Sequence, residues 1–356
     1  MAETGSHPQP LVSHSGHRWV VVRTPPEQRI KAAALLNEAP LHQAMVGARR
    51  MIENASEFGI NPNLIWHVSR SDDPTQMIGS CMVVFGAGRT ATVFASPRLD
   101  ASCDVDALAS CISSAVRCML SERGMERLLL FQTLAEPHQV DLVRAFVAAG
   151  FSHITDLDYM SRKIVRDDRP KSGAGDPGWS QGRFIARPMG MVVADERERL
   201  VQAIDGSYEN TLDCPELCNA RPTSDVLDSH IAAGDGDTSM WQIVECENKP
   251  VGCCLVSRSP DGRAADLIYI GLAPEARGHG LGKKLVQTAI HQLALRRLPT
   301  LRCAVDQRNA AARTLYESLG FLRTESRCAL VATSKQMHSV GSPETSCRSP
   351  SEAHKS

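Results

Sequence analysis

The chain has 356 residues, of which 42% are hydrophobic and 22% charged, a balance that suits folded domains and excludes a mostly disordered chain. Thirty-nine Lys and Arg stand against 40 Asp and Glu, leaving a formal net charge of -1. That excludes a general binder of the nucleic-acid backbone, which needs a basic surplus to displace counterions, and aromatic residues at 4% leave few platforms for stacking single-stranded bases.

At about 150 residues per domain, the length predicts two domains. Met1 to His17 is polar and has no apolar run of the kind a secretory signal needs, so it is expected to be disordered and the protein cytoplasmic. The 12 cysteines lie mostly in apolar stretches and are expected to be reduced and buried. Cys214-x-x-x-Cys218 is not followed by a second ligand pair at zinc-site spacing, so no metal is expected. No apolar run reaches the roughly 18 residues that span a bilayer, so no membrane partner is expected either.

The first block, 18–165, carries a helical pattern in Leu108, Ile112, Ala115, Val116 and Met119. The strand Leu128 to Phe131 follows, then a helix around Val143 to Ala149, then Gly150-Phe151. The stretch 166–182 is dense in Gly, Pro and charge and reads as a linker. The second block, 183–333, repeats the plan. A strand covers Leu267 to Leu272, and Leu281, Leu285, Ala289 and Leu293 mark a long helix. A strand at Leu301 to Val305 and a short helix lead to Gly320-Phe321, 170 positions after Gly150-Phe151. Gly320 suits a left-handed position closing that helix. The Ser-rich stretch 334–356 is expected to be a disordered tail.

The chemistry concentrates in the second block. After the strand that begins at Asp266, the turn Pro274-Glu-Ala-Arg277-Gly278-His279-Gly280-Leu281-Gly282-Lys283 opens directly into the long helix. A helix start offers unpaired N–H groups and the positive end of the dipole, and glycines let phosphate oxygens come close. Arg277 and Lys283 add charge at the edges, so the segment reads as a diphosphate cradle. It is not a nucleotide-hydrolase loop, because Lys283 is followed by Lys284 instead of Ser or Thr and the first glycine is missing. The dinucleotide pattern also fails, at Lys283. What fits is R-x-x-G-x-G at Arg277, Gly280 and Gly282. Downstream, Asn309 flanks a helix start, and Ala312 and Tyr316 share one face of that helix.

Together these two motifs identify the second block as resembling the GNAT acetyltransferase superfamily. Residues 277–282 match its acyl-CoA pyrophosphate motif, and 305–321 resemble its V-x-x-x-N-x-x-A-x-x-L-Y-x-x-x-G-F hallmark. The two-block plan resembles the tandem acetyltransferases of the mycothiol synthase type, with no substrate carried across. The resemblance implies an α/β fold: two tandem GNAT-like domains, each a mixed, mostly antiparallel sheet flanked by helices. It implies a splay between the strands at 266–272 and 300–305, where Ile270 and Leu272 would pair with pantetheine. It further implies acetyl-CoA as cosubstrate, held by Arg277, Gly278, His279, Gly280, Leu281, Gly282, Lys283, Asn309 and Ala312. Tyr316 would give a proton to the leaving thiolate, and the Leu272 N–H would meet the developing oxyanion. Asp266 is the first candidate for the base, with Tyr269 and Glu275 behind it. Tyr208, Glu209, Thr211 and Asp213 form a polar run placed to bind the acceptor, expected to be a small-molecule primary amine attacked in a ternary complex.

The first block has no glycine between Gly88 and Gly124, and Phe146 stands where the second has Tyr316. It is expected to be a degenerate, non-catalytic copy with a structural role, the alternative being a copy that still binds CoA without turnover. The alternatives to a small-molecule enzyme are a non-catalytic acyl-CoA sensor and a protein or peptide acetyltransferase, and the chain is expected to be a monomer or homodimer.

Overall fold

The computed structural model describes residues 11–12, 18–97, 103–122, 127–170, 178–190, 192–234, 236–259 and 261–339. Most of the first segment, 1–17, and of the tail lies outside them. In chain order the elements are β1 (Leu11–Val12), β2 (Arg18–Arg23), α1 (Arg29–Ala34), α2 (Leu41–Glu53), β3 (Ile65–Arg70), β4 (Met77–Gly86), β5 (Thr90–Ala95), α3 (Val105–Ser121), β6 (Leu130–Ala135), α4 (Val140–Ala148) and β7 (Ser152–Lys163). The same succession then recurs as β8 (Trp179–Gln181), β9 (Phe184–Pro188), α5 (Ala194–Tyr208), α6 (Thr223–Ala233), β10 (Gln242–Cys246), β11 (Lys249–Arg258), β12 (Ala265–Leu272), α7 (Leu281–Arg296), β13 (Thr300–Asp306), α8 (Ala310–Ser318) and β14 (Leu322–Thr333), with α9 (Ser334–Ser339) appended. The last strand, helix and strand of each copy start at Leu130, Val140 and Ser152, and at Thr300, Ala310 and Leu322, so the spacing of 170 read from Gly-Phe holds for whole elements.

Contacts group the chain as residues 1–153 with 328–356, and residues 154–327. Nearly all of β7 therefore counts with the second unit, and the end of β14 with the first. In the first unit β2 to β5 pair antiparallel in sequence order, β5 and β6 pair parallel, and β14 closes on β6 from Cys328↔Ala135 to Thr333↔Leu130. In the second unit β9 to β12 are antiparallel neighbours, β12 and β13 are parallel, and β7 lies antiparallel beside β13. These are mixed, mostly antiparallel sheets flanked by helices.

Burial follows the helical periodicity. Leu108, Ile112, Ala115, Val116 and Met119 of α3 are fully buried against β3 to β5. On α7 Leu281, Leu285, Ala289 and Leu293 fill the core of the second unit with Phe184, Val244 and Leu301. Fully burying one such Leu stabilises the fold by roughly 1.5–3 kcal/mol.

Parts of the segments expected to be unstructured form regular elements. Of the linker, 166–168 form a single helical turn and Trp179–Gln181 form β8, while 171–177 lie outside the described residues. The tail departs from expectation at its start: Ser334–Ser339 form α9, because Met337 packs fully buried in the first unit's core and the Ser334 amide bonds the Leu129 carbonyl at 3.0 Å. One apolar side chain at the right place outweighed the polar composition around it. Among the described residues, no helix is long and apolar enough to cross a membrane.

Candidate active site

The site is built where β12 leaves its neighbour. β12 and β13 pair only at Ala265↔Leu301 and Asp266↔Arg302, although β12 runs on to Leu272 and β13 to Asp306. On the other side of β12 the register with β11 shifts between Leu255↔Tyr269 and Val256↔Leu267. That bulge leaves Ile268 extra and bends the strand. Beyond the bulge, the Ala273 N–H bonds the Val251 carbonyl at 2.8 Å. By the alternation of an antiparallel ladder, Leu272 and Ile270 then turn their own N–H and C=O groups away from β11 and into the splay.

Gly278 and Gly280 shape the turn into α7 with φ of +76 and +73, left-handed values that suit glycine. Gly280 caps α7 without a side chain to accept a bond, and the Lys284 N–H is bonded to the Gly280 carbonyl at 3.2 Å. The N–H groups of Leu281, Gly282 and Lys283 thus point out of the helix end, with the positive end of the dipole behind them. Lys283 is exposed there. Lys284 is engaged elsewhere: its ammonium lies 4.4 Å from the Trp179 ring centre and donates to the Ser180 carbonyl. The Gln181 amide donates to the His279 carbonyl at 2.6 Å, and the Phe184 ring stands 5.1 Å from the His279 ring. A glycine turn, a run of outward N–H groups and one exposed lysine fit a diphosphate.

Arg277 behaves differently from the edge charge expected of it. Its guanidinium donates to the carbonyls of Leu272 (2.9 Å), Ser207 (2.9 Å), Glu209 (2.7 Å) and Asn210 (3.2 Å). It caps the end of α5 and ties it to the end of β12, so its side chain is spent on the protein's own carbonyls.

Two cavities open from the splay. The larger, of about 230 Å³, is bounded by the end of α5, the loop 210–213, the end of β12 and Asn309. The smaller, of about 70 Å³, lies between β12 and β13 and contains Tyr316. Asp213, Tyr269, Ile270 and Asn309 line both. Asn309 caps α8, accepting the Ala312 N–H at 3.1 Å. Tyr316 is buried, its ring 5.4 Å from Phe321, with Ala312 one turn earlier leaving room. Burial, then the neighbouring Cys303 and Asp213, raise its pKa well above the ordinary phenol value, so it stays protonated at any physiological pH.

The structure separates the expected carboxylates. Asp266 is not in either cavity: it meets Arg302, its partner in the last paired rung, at 2.7 and 3.0 Å on the outside of the sheet. Its position before the splay keeps it out of both cavities, which speaks against its reading as first candidate for the base. Glu275 and Glu209 are exposed and line neither cavity. Tyr208 and Thr211 line the larger one, and Asp213 lines both. Asp213 is exposed on the cavity side, while protein atoms crowd its carboxyl from the direction of Asp306 and Asn309. Burial raises its pKa, the adjacent Asp306 raises it further, and bonds from the Asp306 N–H and Asn309 offset only part of this.

Two contacts were not legible in the sequence, the first made by a residue named there only as a weaker base candidate. Tyr269 shares a 2.6 Å hydrogen bond with Ser207, forming the floor between β12 and α5. Asp306, fully buried, pins the loop that carries Asp213: it accepts the Cys214 N–H at 3.0 Å, while Asp213 accepts the Asp306 N–H at 3.2 Å. Arg308 bridges Asp306 (2.7 Å) and Glu216 (2.6 Å). Burial opposes the ionisation of Asp306, but the bonds from Arg308, Thr155 and the Cys214 N–H prevail and hold its pKa at about 2. The sequence signal was the pair Asp306-x-Arg308, whose meaning depended on a loop some ninety residues upstream.

Comparison with known proteins agrees with this geometry. Residues 206–321 match the model of the acetyltransferase (GNAT) family. Two mycothiol acetyltransferases are similar: that of Streptomyces griseus, 35% identical over 29% of this chain and 34% of its own length, and that of Thermomonospora curvata, 31% identical over 49% and 54%. An N-alpha-acetyltransferase 30 from Saccharomyces cerevisiae is 38% identical over 21% of this chain and 45% of its own. The chain thus spans about half or less of the length of these relatives. A solved GCN5-related N-acetyltransferase from Sphaerobacter thermophilus shares the fold over 91% of this chain and 97% of its own, with a TM-score of 0.50 at 14% identity. Residues 206–321 of the second unit thus carry a GNAT acetyltransferase domain, and the two-copy plan of the chain resembles that of the mycothiol acetyltransferases it is similar to.

Proposed function

We propose that the second unit moves an acetyl group from acetyl-CoA to the primary amine of a small molecule, by direct attack in a ternary complex. The observation that carries this is the splay itself. Its inner cavity holds Tyr316 between β12 and β13, and the turn that follows β12 delivers the uncapped start of α7. The backbone of Gly278 to Lys283 would hold the diphosphate, Lys283 adding charge, and Ile270 and Leu272 would pair with the pantetheine arm. Asn309 and Ala312 shape the wall beside it. Arg277 positions this cradle through the four carbonyls it holds. Acetyl-CoA supplies an activated acetyl thioester. Tyr316 keeps its proton until the thiolate leaves, and the Leu272 N–H faces the side on which negative charge develops.

The acceptor is assigned to the larger cavity, beside Tyr208, Thr211 and Asp213. The cavity's volume of about 230 Å³ suits a small amine, whereas the likeness to an N-alpha-acetyltransferase supports a peptide N-terminus as the second reading. The first unit is proposed to be non-catalytic. There α3 is capped by its own Asp104, whose carboxylate accepts the Ala107 N–H at 2.7 Å, and Phe146 has no proton to give.

The test is thiol release from acetyl-CoA against amines, amino sugars, polyamines and peptides, with Tyr316→Phe beside the wild type. Turnover is expected to fall on the order of 10²–10⁴-fold in the variant, with calorimetric binding of acetyl-CoA kept. Binding without turnover on any acceptor would favour the sensor, and an unchanged kcat in Tyr316→Phe would remove the tyrosine from the chemistry.

A further inference from the structure

We propose that Asp213 is the general base that takes the proton from the acceptor amine. This deepens the acetyl-transfer reading and rests on it.

Position comes first. Among the residues that line either cavity, Asp213 is the one carboxylate, and it lines both. It therefore stands where the acceptor space meets the space holding Tyr316. The remaining acidic candidates are disposed of by their contacts. Asp266 is spent on Arg302 outside the splay. Asp306 is fully buried and saturated by Arg308, Thr155 and two backbone N–H groups. Glu216 is paired with Arg308, and Glu209 and Glu275 line neither cavity.

Anchoring comes second. A base must be held at a fixed place, and Asp213 sits on a loop that would otherwise be free to move. The reciprocal bonds of Asp213 and Cys214 with Asp306 fasten that loop to the end of β13, and the Arg308 bridge to Glu216 fastens its far side. Cys214 holds a left-handed φ of 44, a conformation that costs a non-glycine residue about 1 kcal/mol or more. That strain is sustained where the chain turns Asp213 into the cavity.

The surroundings come third. The groups facing Asp213 are Asp306 and Cys303 from β13, Arg308 after it, Tyr269 from β12, Tyr316 from α8, and Cys214 and Cys218 from its own loop. Burial and Asp306 work against its charge and outweigh the pull of Arg308. A carboxylate so placed gains by meeting an ammonium group, and it is more basic than an ordinary aspartate. The step balances as follows. The acceptor enters as R–NH3+, and one proton passes to an Asp213 carboxylate oxygen. The amine nitrogen forms its bond to the acetyl carbon as the carbon–sulfur bond breaks, and the sulfur takes the hydroxyl proton of Tyr316. The second N–H proton passes through water to the tyrosinate, and Asp213 gives its proton to solvent as the products leave, so each turnover releases one proton. The acceptor class that follows is a small primary amine that is cationic in solution and carries no negative charge beside the amine.

The experiment compares wild type, Asp213→Asn, Asp213→Glu and, as a control, Asp266→Asn. Acetyl-CoA is the donor, and glucosamine, putrescine and alaninamide are the acceptors. In Asp213→Asn, kcat/KM is expected to drop at least 100-fold and to lose the acidic limb of its pH profile, with acetyl-CoA binding by calorimetry unchanged. Asp213→Glu is expected to recover part of the rate, and Asp266→Asn to match wild type. In the free protein, carbon-13 spectra of labelled aspartate are expected to show one carboxyl titrating above the ordinary range and missing from Asp213→Asn. If wild type turns over and Asp213→Asn keeps both rate and acidic limb, or if the missing carboxyl titrates at or below the ordinary range, Asp213 is not the base. If wild type turns over no acceptor, the acetyl-transfer reading falls first.

Discussion

Replacing Arg277 by Ala separates two roles that one guanidinium can play in a diphosphate site. If the side chain grips the ligand, its loss weakens binding and leaves the apo fold intact. The geometry gives the opposite expectation. Four carbonyls, from Ser207, Glu209, Asn210 and Leu272, lose their donor. The bonds to Glu209 and Asn210 are exposed, so water can replace them. Those to Ser207 and Leu272 are partly buried, and charge-assisted bonds of that kind contribute about 1.5–3 kcal/mol each. Counting the two partly buried bonds and allowing for partial rehydration, the loss is roughly 3 kcal/mol. With a urea slope of about 2 kcal/mol/M, the unfolding midpoint of the apo protein falls by roughly 1.5 M. Arg277→Lys should recover little, because one ammonium cannot span carbonyls on both α5 and β12. Acetyl-CoA binding is then measured at two salt concentrations on whatever remains folded. An unchanged urea midpoint together with weaker binding of reduced salt dependence would refute the reasoning, because it would put the guanidinium on the phosphates.

Two further outcomes follow from single side chains. Phe146→Tyr should destabilise the protein by roughly 1–3 kcal/mol without adding turnover, since Phe146 is fully buried against Phe151 at 5.0 Å; a thermal scan in which it proves neutral would mean that the first copy retains polar space there. Asp306 gives the pH dependence: its folded pKa of about 2 lies below the unfolded value of 3.8, so its stabilisation, about 2 kcal/mol, is present above pH ~4 and lost as pH falls through about 2. The stability gap between wild type and Asp306→Asn in urea should therefore shrink between pH 4 and pH 2, and a gap independent of pH would show that the carboxylate's charge contributes nothing.

The repeat, the cradle and the tyrosine were legible in the sequence because each depends on local spacing. Gly278 and Gly280 are needed by the turn they themselves make, and Ala312 and Tyr316 share a face because of helical periodicity alone. Asp266 and Arg277 have partners in the structure that their sequence neighbourhoods did not announce, for a common reason. Each was judged by type and position along the chain, while its role is fixed by a partner elsewhere. For Asp266 the partner is Arg302, opposite it in the last paired rung. For Arg277 it is a set of carbonyls about seventy residues upstream. Met337 makes the same point in reverse, since its composition predicted a tail and a long-range apolar contact made a helix. What the sequence withholds is how a charged group divides itself between the ligand and the protein.

The two copies of one plan make that division differently. At the start of α3, Asp104 brings the anion that the helix end attracts, and an N-cap of this kind contributes about 1 kcal/mol. At the start of α7, Gly280 brings nothing, and the same N–H groups are left for a ligand. The parallel pairing shows the same trend. β5 and β6 pair over three rungs, Thr90 to Thr92, where β12 and β13 pair over two. Each difference makes the first copy more self-satisfied and the second less so. The unpaired N–H groups and the early splay of the second copy are what a bound cosubstrate would complete, whereas the first copy meets both with its own residues, Asp104 at the helix start and a third rung at Thr92.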